Sequence, residues 1–186
     1  TQFFLSKDYR IRCLDALIYS QKHSLEPFLK NKNYEFIYGD LGSCDKIKNL
    51  FNEVTDIVIL AGLVGDPITK KYPKESEKIN YIALKNFIDN CKGKKLNKVI
   101  FISTCSNYGL IENNEVADEN YNLNPLSNYA KQKVAIENYI MSLKGKVDYS
   151  TTILRFATAF GISPRMRFDL VVNEFTRELY LKNNII

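Results

Sequence analysis

Tyr129 and Lys133 are the residues of this sequence whose types and spacing most directly allow acid–base chemistry. They lie four positions apart, and on a helix this spacing places both side chains on the same face. A lysine ammonium near a phenol favours the phenolate and lowers a pKa that is otherwise about 10. The pair therefore predicts a tyrosine that removes the proton of a hydroxyl group.

A tyrosine four residues before a lysine also arises by chance in a chain with 12 tyrosines, and Tyr81 and Lys85 form a second such pair. The surroundings favour Tyr129. It follows, 25 residues later, the end of a predicted strand at Ser103-Thr104, and Pro125 introduces a bend before its helix. We interpret Tyr81 as a residue that packs its helix on a neighbour.

Thr104 lies at the predicted carboxyl end of its strand, where open α/β sheets bind their ligands. We expect its hydroxyl to hold the same substrate oxygen that Tyr129 deprotonates. The sequence leaves one alternative open, in which the hydroxyl only caps the turn that follows the strand.

The elements that must position these residues alternate between short β-rich runs and longer helical patterns. The predicted strands are Arg10–Asp15, Tyr34–Tyr38, Asp56–Ala61, Lys98–Ser103 and Thr151–Phe156. The predicted helices, recognised by apolar residues at helical spacing, are Ser43–Val54, Glu75–Cys91, Ser127–Leu143 and Met166–Leu181. This alternation predicts a parallel α/β sheet with helices on both faces.

Asp15 ends the first predicted strand, where a dinucleotide-binding domain holds the adenosine ribose. A carboxylate there accepts hydrogen bonds from the ribose hydroxyls and repels a 2′-phosphate, so it favours NAD over NADP. The alternative is an aspartate of an ordinary turn. Gly39-Asp40-Leu41 and Ala61-Gly62-Leu63 also fall at strand ends, and small residues there let a cofactor approach the backbone.

The sequence contains no GxGxxG fingerprint, which in dinucleotide-binding domains follows the first strand. It opens instead with Thr1–Lys7, which is typical of the tail of a helix. We therefore expect a piece of a longer natural chain that begins just past the fingerprint.

Composition argues against several other classes of protein. A net charge of +5, from 26 basic and 21 acidic residues, is too small and too scattered to favour nucleic-acid binding. The longest apolar run, 57–62, is too short to span a membrane. Four scattered cysteines without a CxxC motif indicate a reducing, cytoplasmic environment, and with a single histidine they argue against a metal site.

Three motifs, in this order, resemble the signatures of the extended short-chain dehydrogenase/reductase family: Ile102–Gly109 (ISTCSNYG), Tyr129–Lys133 (YAKQK) and Leu154–Gly161 (LRFATAFG). The family includes NAD-dependent sugar-nucleotide epimerases, 4,6-dehydratases and ketoreductases. The resemblance covers nearly the whole chain and is specific to the family, though not to one activity. It implies a Rossmann-type doubly wound parallel sheet, truncated at both ends.

The same resemblance implies a division of the chain and a gap in its sheet. Residues 1–165 would form the NAD-binding domain without its first strand, and residues 166–186 would begin the substrate-binding part. In the family's strand order the missing strand lies between those ending at Asp15 and Ala61. We expect the isolated chain to bind NAD poorly and to be inactive, which stoichiometric binding in a calorimeter would contradict.

The resemblance also assigns roles to individual residues, without a metal. The catalytic residues would be Thr104, Tyr129 and Lys133. The NAD site would be formed by Asp15, Asp40, Leu41, Leu60, Ala61, Gly62, Val64, Asn80, Ser103, Tyr129, Lys133, Phe156 and Ala157. The nucleotide-sugar site would include Thr104, Cys105, Ser106, Tyr129, Thr158, Asp169 and Leu170.

Cys105 and Ser106 depart from the dehydratase pattern, in which an Asp-Glu pair follows the catalytic threonine and eliminates water. Elimination needs such apposed acid and base groups, so dehydration is disfavoured. Cys105 would act as an acid or base, as in some related epimerase-reductases, or be a small buried residue; we favour the buried residue.

These observations predict an NAD-dependent sugar-nucleotide epimerase that transfers a hydride at a hexose carbon, C4 by resemblance. One alternative is an NAD(P)-dependent 4-keto-sugar-nucleotide reductase of the same family. The alternative from another class is a non-catalytic dinucleotide-binding module, which has no need for Thr104, Tyr129 and Lys133 together. By analogy with the family, helices 75–91 and 127–143 would pair across a homodimer.

Overall fold

The computed structural model describes residues 1–111 and 115–181. Its strands are β1 (Ile11–Asp15), β2 (Tyr34–Tyr38), β3 (Asp56–Ile59), β4 (Lys98–Thr104) and β5 (Ser150–Phe156). Its α-helices are α1 (Gln2–Leu5), α2 (Asp66–Lys71), α3 (Pro73–Glu77), α4 (Leu84–Asn90), α5 (Asn128–Ser142) and α6 (Val171–Tyr180). The predicted alternation of strands and helices is confirmed.

All strand pairs between described residues are parallel, and they form two sheets. One sheet pairs β1 with β2, and the other has the order β3-β4-β5. In the second sheet Ile59 aligns with Phe101, and Thr104 aligns with Phe156. The carboxyl ends of β4 and β5 therefore meet at one edge, as the sequence predicted for a parallel sheet.

Contacts within the chain group it into two compact units. One contains residues 39–157, with β3, β4, β5 and helices α2 to α5. The other contains residues 1–38 and, as far as the structure describes them, 158–181, with β1, β2, α1 and α6. This grouping does not test the predicted domain boundary at residue 165, and part of the second predicted domain lies outside the described residues.

The core of the unit 39–157 lies where α4 and α5 pack with β4. Burial alternates along β4, so that Val99, Phe101 and Ser103 are buried. Ile136 from α5 and Leu84 from α4 are fully buried as well. Each such apolar side chain contributes about 1.5–3 kcal/mol by leaving water, and this packing fixes which face of α5 meets the sheet.

The predicted helix Ser43–Val54 is wrong. The chain instead forms a 3-10 helix, Leu41–Lys46, and then turns. Asp40 rather than Ser43 caps it, because its carboxylate accepts a hydrogen bond from the Gly42 amide at 2.8 Å. Further on, Asn49 and Glu53 have φ values of 62° and 58°, and residues in this left-handed conformation cannot continue a right-handed helix.

The predicted helix Glu75–Cys91 is confirmed as a helical segment, but it contains a π-helical turn. Pro73 opens α3, and the turn Lys78–Ala83 connects α3 to α4. Such π turns are rare and often occur at functional sites. The last predicted helix starts later than expected, at Val171, while α5 begins and ends within one residue of the predicted bounds.

Candidate active site

Helix α5 carries both residues of the Tyr129–Lys133 pair. Ser127 caps its first turn, since its hydroxyl accepts a hydrogen bond from the Ala130 amide at 3.2 Å. The cap fixes where the helix starts and places Tyr129 in the first turn, with Lys133 one turn later. This is the arrangement that the spacing predicted.

Lys133 joins α5 to the end of β4. Its ammonium donates a hydrogen bond to the carbonyl oxygen of Ile102 at 2.8 Å. It lies 4.6 Å from the ring centroid of Phe101 and 5.7 Å from that of Tyr129. The tyrosine ring, the lysine charge and the strand end that leads into Thr104 are therefore brought together.

The surroundings of Lys133 depress the pKa of its ammonium group. Only 4% of the residue is exposed, and burial lowers its pKa to about 8, against the opposing attraction of Glu137. A charge so poorly solvated acts strongly on a neighbouring phenol, because little water screens it.

The second Tyr–Lys pair does not form such a site. Tyr81 is half-buried within the π turn. Lys85 pairs with Asp89 at 3.1 Å and lies 4.6 Å from the ring centroid of Tyr139. The Lys85 ammonium therefore contacts Asp89 of α4 and Tyr139 of α5.

Thr104 ends β4 and caps a 3-10 helix, Cys105–Tyr108. Its hydroxyl accepts a hydrogen bond from the Ser106 amide at 3.2 Å. The capping role that the sequence left open is therefore present. It uses the hydroxyl only as an acceptor, so the O–H remains able to donate to a substrate oxygen.

Cys105 is exposed, so our expectation of a small buried residue is wrong. The cause is local: β4 ends at Thr104 and the next turn carries the Cys105 and Ser106 side chains out of the sheet, where both are exposed. Both side chains are accessible beside Thr104, as a substrate-facing role requires.

A buried polar network behind this turn was not predicted. Glu137 of α5 accepts hydrogen bonds from Ser103 at 2.5 Å and from Asn107 at 2.7 Å. It also forms an ion pair with Arg155 of β5, with a nitrogen–oxygen distance of 2.7 Å. One sequence signal pointed to it: Glu137 lies four residues after Lys133 and therefore on the same helix face.

In the segment that follows β3, Gly62 allows the Asn80 side chain to approach the backbone closely. Gly62 has a φ of +147°, and a Cβ on it would lie 2.9 Å from the Asn80 side-chain oxygen. Asn80 holds the next residue, Leu63, by accepting from its amide at 2.7 Å and donating to its carbonyl at 3.0 Å. Leu60 and Val64 expose their side chains. The loop thus combines two exposed apolar side chains with a glycine whose missing Cβ makes room for Asn80.

Asn80 acts on this loop from inside the protein, since only 1% of it is exposed. Its amide nitrogen also donates to Gln132 of α5 at 3.0 Å, and Ser76 donates to the same Gln132 oxygen at 2.7 Å. Gln132 and Ser76 were not predicted. They tie the loop after β3 to the helix that carries Tyr129.

The remaining predicted residues of this unit lie at strand ends. Asp40 and Leu41 follow β2 and begin the 3-10 helix described above. Phe156 ends β5, aligned with Thr104, and Ala157 follows it; both are exposed. Ser103 is buried and directed at Glu137.

In the other unit, Asp15 ends β1, aligned with Tyr38 of β2. One of its carboxylate oxygens accepts from the Leu17 amide at 2.6 Å, so it is a turn aspartate at the predicted position. Asp169 forms a salt bridge with Arg167, whose hydrogen bond lowers the Asp169 pKa. Leu170 directly precedes α6, and Thr158 is exposed.

Among the residues that the structure covers, no helix is long and apolar enough to cross a membrane. The same residues contain no group of three or more His, Cys, Asp or Glu side chains placed to hold a metal ion.

Residues 1–184 match the sequence profile of the NAD dependent epimerase/dehydratase family. The chain is 28% identical over 182 residues to a dTDP-D-glucose 4,6-dehydratase of Dictyostelium discoideum, and 28% identical over 163 residues to UDP-glucuronate 4-epimerase 6 of Arabidopsis thaliana. These matches cover 91% and 86% of this chain but only 42% and 35% of the two relatives. The chain thus spans less than half the length of either relative.

Two solved structures have the same fold. The UDP-glucuronic acid 4-epimerase of Bacillus cereus in complex with NAD superposes with a TM-score of 0.83 at 23% identity, over 98% of this chain and 58% of its own. The Thermus thermophilus UDP-glucose 4-epimerase complex with NAD gives 0.81 at 20% identity, over 99% and 59%. The Rossmann-type fold class is confirmed by these matches, and the family profile covers nearly every residue, so the chain belongs to the NAD-dependent epimerase/dehydratase family.

Proposed function

We propose that the protein carrying this chain is an NAD-dependent sugar-nucleotide epimerase that acts at C4 of a hexose. The observation that carries the proposal is the position of Lys133, whose buried ammonium lies 5.7 Å from the Tyr129 ring centroid and is hydrogen-bonded to the end of β4. The relatives support the substrate class, since several are named as 4-epimerases of UDP-sugars.

Tyr129 removes the proton of the sugar hydroxyl, and the charge of Lys133 stabilises the phenolate that makes this possible. Thr104 donates a hydrogen bond to the same oxygen and holds it in place. NAD, when bound, would supply reversible hydride transfer at the sugar carbon, which epimerisation requires on both faces of that carbon. The protein itself positions the sugar hydroxyl and provides the positive charge that stabilises the phenolate.

The cofactor surface follows the ends of the strands. Leu60, Ala61, Gly62 and Val64 line it in the loop after β3, and Asp40 with Leu41 faces the adenine. In the other unit, the family resemblance assigns the adenosine ribose to Asp15, and a carboxylate in that role would favour NAD over NADP. Phe156 and Ala157 complete the cofactor surface beside Thr104, and Asn80 and Ser103 support it from beneath.

Dehydration is disfavoured despite the named dehydratases among the relatives. The positions after Thr104 hold Cys105 and Ser106 rather than a pair of carboxyl groups, and a thiol beside a hydroxyl is not the pair of apposed acid and base groups that elimination requires. Cys105 and Ser106 are our candidates for sugar contact in this unit, and the family resemblance adds Thr158, Asp169 and Leu170 of the other unit as candidates.

The exposure of Cys105 beside Thr104 favours one second candidate, the 4-keto-sugar-nucleotide reductase of the same family. A thiol at this place can donate or accept a proton during reduction. Such an enzyme consumes the reduced nicotinamide, whereas an epimerase regenerates its cofactor in each turnover.

The test uses the protein expressed from its complete coding sequence, incubated with UDP-, GDP- and dTDP-hexoses. An epimerase changes the sugar without net change in the absorbance of reduced nicotinamide, and a reductase consumes it. Tyr129→Phe should lower the rate by at least about a hundredfold. Tyr81→Phe, in the second Tyr–Lys pair, is the matched control and should keep the rate. If neither wild type nor Tyr129→Phe changes the sugar or consumes reduced nicotinamide, the non-catalytic module is supported and the proposal is overturned; equal activity of the two would overturn the role of Tyr129.

A further inference from the structure

Glu137 is a buried carboxylate with more partners than a stabilising ion pair needs. Only 2% of the residue is exposed. Its Oε1 accepts from Ser103 and Asn107, and both of its oxygens accept from Arg155, at 2.7 to 3.2 Å. A buried carboxylate is costly to hold unless its oxygens are satisfied in this way.

The two uncharged partners of Glu137 lie on either side of the turn that faces the substrate. Ser103 directly precedes Thr104, and Asn107 directly follows Ser106. Both donate to the same oxygen of Glu137, and the Asn107 amide also donates to the Ser103 hydroxyl at 3.0 Å. The two ends of the segment 104–106 are therefore fastened to one atom.

The same carboxylate connects this turn to the catalytic helix and to the neighbouring strand. Glu137 lies one helical turn after Lys133 on α5, and Ser103 aligns with Arg155 across β4 and β5. Arg155 continues outward, donating to the Tyr108 hydroxyl at 3.2 Å and to the Glu119 carbonyl at 3.3 Å. The Glu137 carboxylate thus connects α5, β5 and the segment 104–106 beneath the site.

We infer that Glu137 is a positioning residue, which fixes the Thr104–Ser106 turn relative to Tyr129 and Lys133. The inference rests on the proposed function, in which the Thr104 hydroxyl must be positioned next to the reacting sugar hydroxyl. Glu137 touches neither substrate nor cofactor. It acts through Ser103 and Asn107, and loss of the anchor lets the Thr104 hydroxyl move by a fraction of an ångström or more.

The first test replaces the ion pair with apolar side chains of similar length, Glu137→Met with Arg155→Met. A buried ion pair replaced as a unit usually leaves a protein folded, whereas removing one partner leaves an uncompensated charge. After both replacements the Asn107 amide can still donate to the Ser103 hydroxyl, as it does in the wild type at 3.0 Å. We expect kcat to fall by about tenfold to a hundredfold, with KM for the sugar nucleotide within about threefold.

A second variant, Ser103→Ala, keeps the ion pair and removes one fastening of the turn. It should lower kcat by about tenfold and leave the melting temperature within about 5 °C. The control is Ser142→Ala, at the last residue of α5, whose hydroxyl donates to the Tyr139 carbonyl at the exposed end of the helix. The control should keep the wild-type kcat. A wild-type kcat in Ser103→Ala or in the folded double variant overturns the inference.

Hydrogen exchange provides a readout that does not depend on turnover. In both variants the backbone amides of 105–108 should exchange at least about tenfold faster than in wild type, while those of β4 stay protected. Unchanged exchange in this turn contradicts the anchor. A wild-type protein that changes no sugar nucleotide, combined with faster exchange in the variants, would instead overturn the proposed function and leave the anchor standing.

Discussion

Lys133 must keep a positive charge in a place where burial opposes it. Its ammonium group has one hydrogen bond to a backbone carbonyl and two aromatic rings as neighbours. Burial lowers its pKa from 10.5 to about 8, a difference that corresponds to about 3 kcal/mol against the charged form. The residue is therefore expected to reduce the stability of the fold while serving its chemistry.

Lys133→Met should remove activity and increase stability. Methionine has a similar length and no charge, so burying it avoids the cost of burying an ammonium group. The free energy of unfolding at pH 7 should therefore rise by about 1–3 kcal/mol. Denaturant unfolding measures this change, and the sugar-nucleotide assay should show a loss of at least about a hundredfold. Lys131→Met, at an exposed position of the same helix, is the matched control and should change neither quantity.

The stability difference between Lys133→Met and wild type should depend on pH. Because the folded-state pKa of Lys133 is about 8, the unfolded wild-type chain binds more protons than the folded one between about pH 8 and pH 10.5. The free energy of unfolding of wild type should therefore rise with pH in this window relative to the variant. A difference that stays constant from pH 7 to pH 10, or a variant that is less stable at pH 7, would contradict the buried charge.

At the scale of elements, local signals predicted α5 and the strands, and tertiary contacts decided the rest. The Ser127 cap and apolar spacing are contained in the sequence of α5, and each strand is a short β-rich run. The segment 43–54 has a similar apolar pattern, but left-handed backbone at Asn49 and Glu53 prevents the helix. Asn80 lies within the π turn and accepts from the Leu63 amide in the loop after β3, a contact that no local pattern contains.

The same distinction between local signals and tertiary contacts applies to the candidate site. The placement of Tyr129, Lys133 and Thr104 could be predicted because it depends on helical spacing and on the carboxyl end of one strand. The exposure of Cys105 depends on the turn that Thr104 caps, and the Glu137 anchor depends on the register of β4 with β5. Spacing within one element was visible in the sequence, and contacts between elements were not.

Gly62→Ala should loosen the loop after β3. A φ of +147° disfavours any side chain, and the new methyl group would lie 2.9 Å from the Asn80 oxygen that holds Leu63. We expect a loss of about 2 kcal/mol in the free energy of unfolding. The affinity for NAD, measured by calorimetry on the complete protein, should fall by about tenfold.

Gly145→Ala separates backbone strain from the clash. Gly145 also has a positive φ, +76°, but nothing lies within 4 Å of the position of its Cβ. This variant should lose about 1 kcal/mol of stability and bind NAD as wild type does. Equal effects of the two substitutions on NAD affinity would mean that the contact between Gly62 and Asn80 does not shape the cofactor site.

At the scale of the whole molecule, the helical segment from α3 to α4 and helix α5 keep large apolar side chains exposed. Ile82 is 57% exposed and Met141 is 56% exposed. Exposed apolar side chains are common singly, but these two lie on the pair of helices that the family resemblance assigns to a homodimer. We therefore predict that the complete protein is a dimer whose interface includes both residues.

Ile82→Glu and Met141→Glu should each weaken that dimer by at least about tenfold, because a carboxylate at the centre of an apolar interface must lose its water without gaining a partner. Light scattering coupled to size-exclusion chromatography, over a dilution series, measures the change. Leu29→Glu is the matched control, since Leu29 is also 57% exposed but lies outside both helices. A wild-type protein that is monomeric at all concentrations, or three variants that behave alike, would show that these helices do not form the interface.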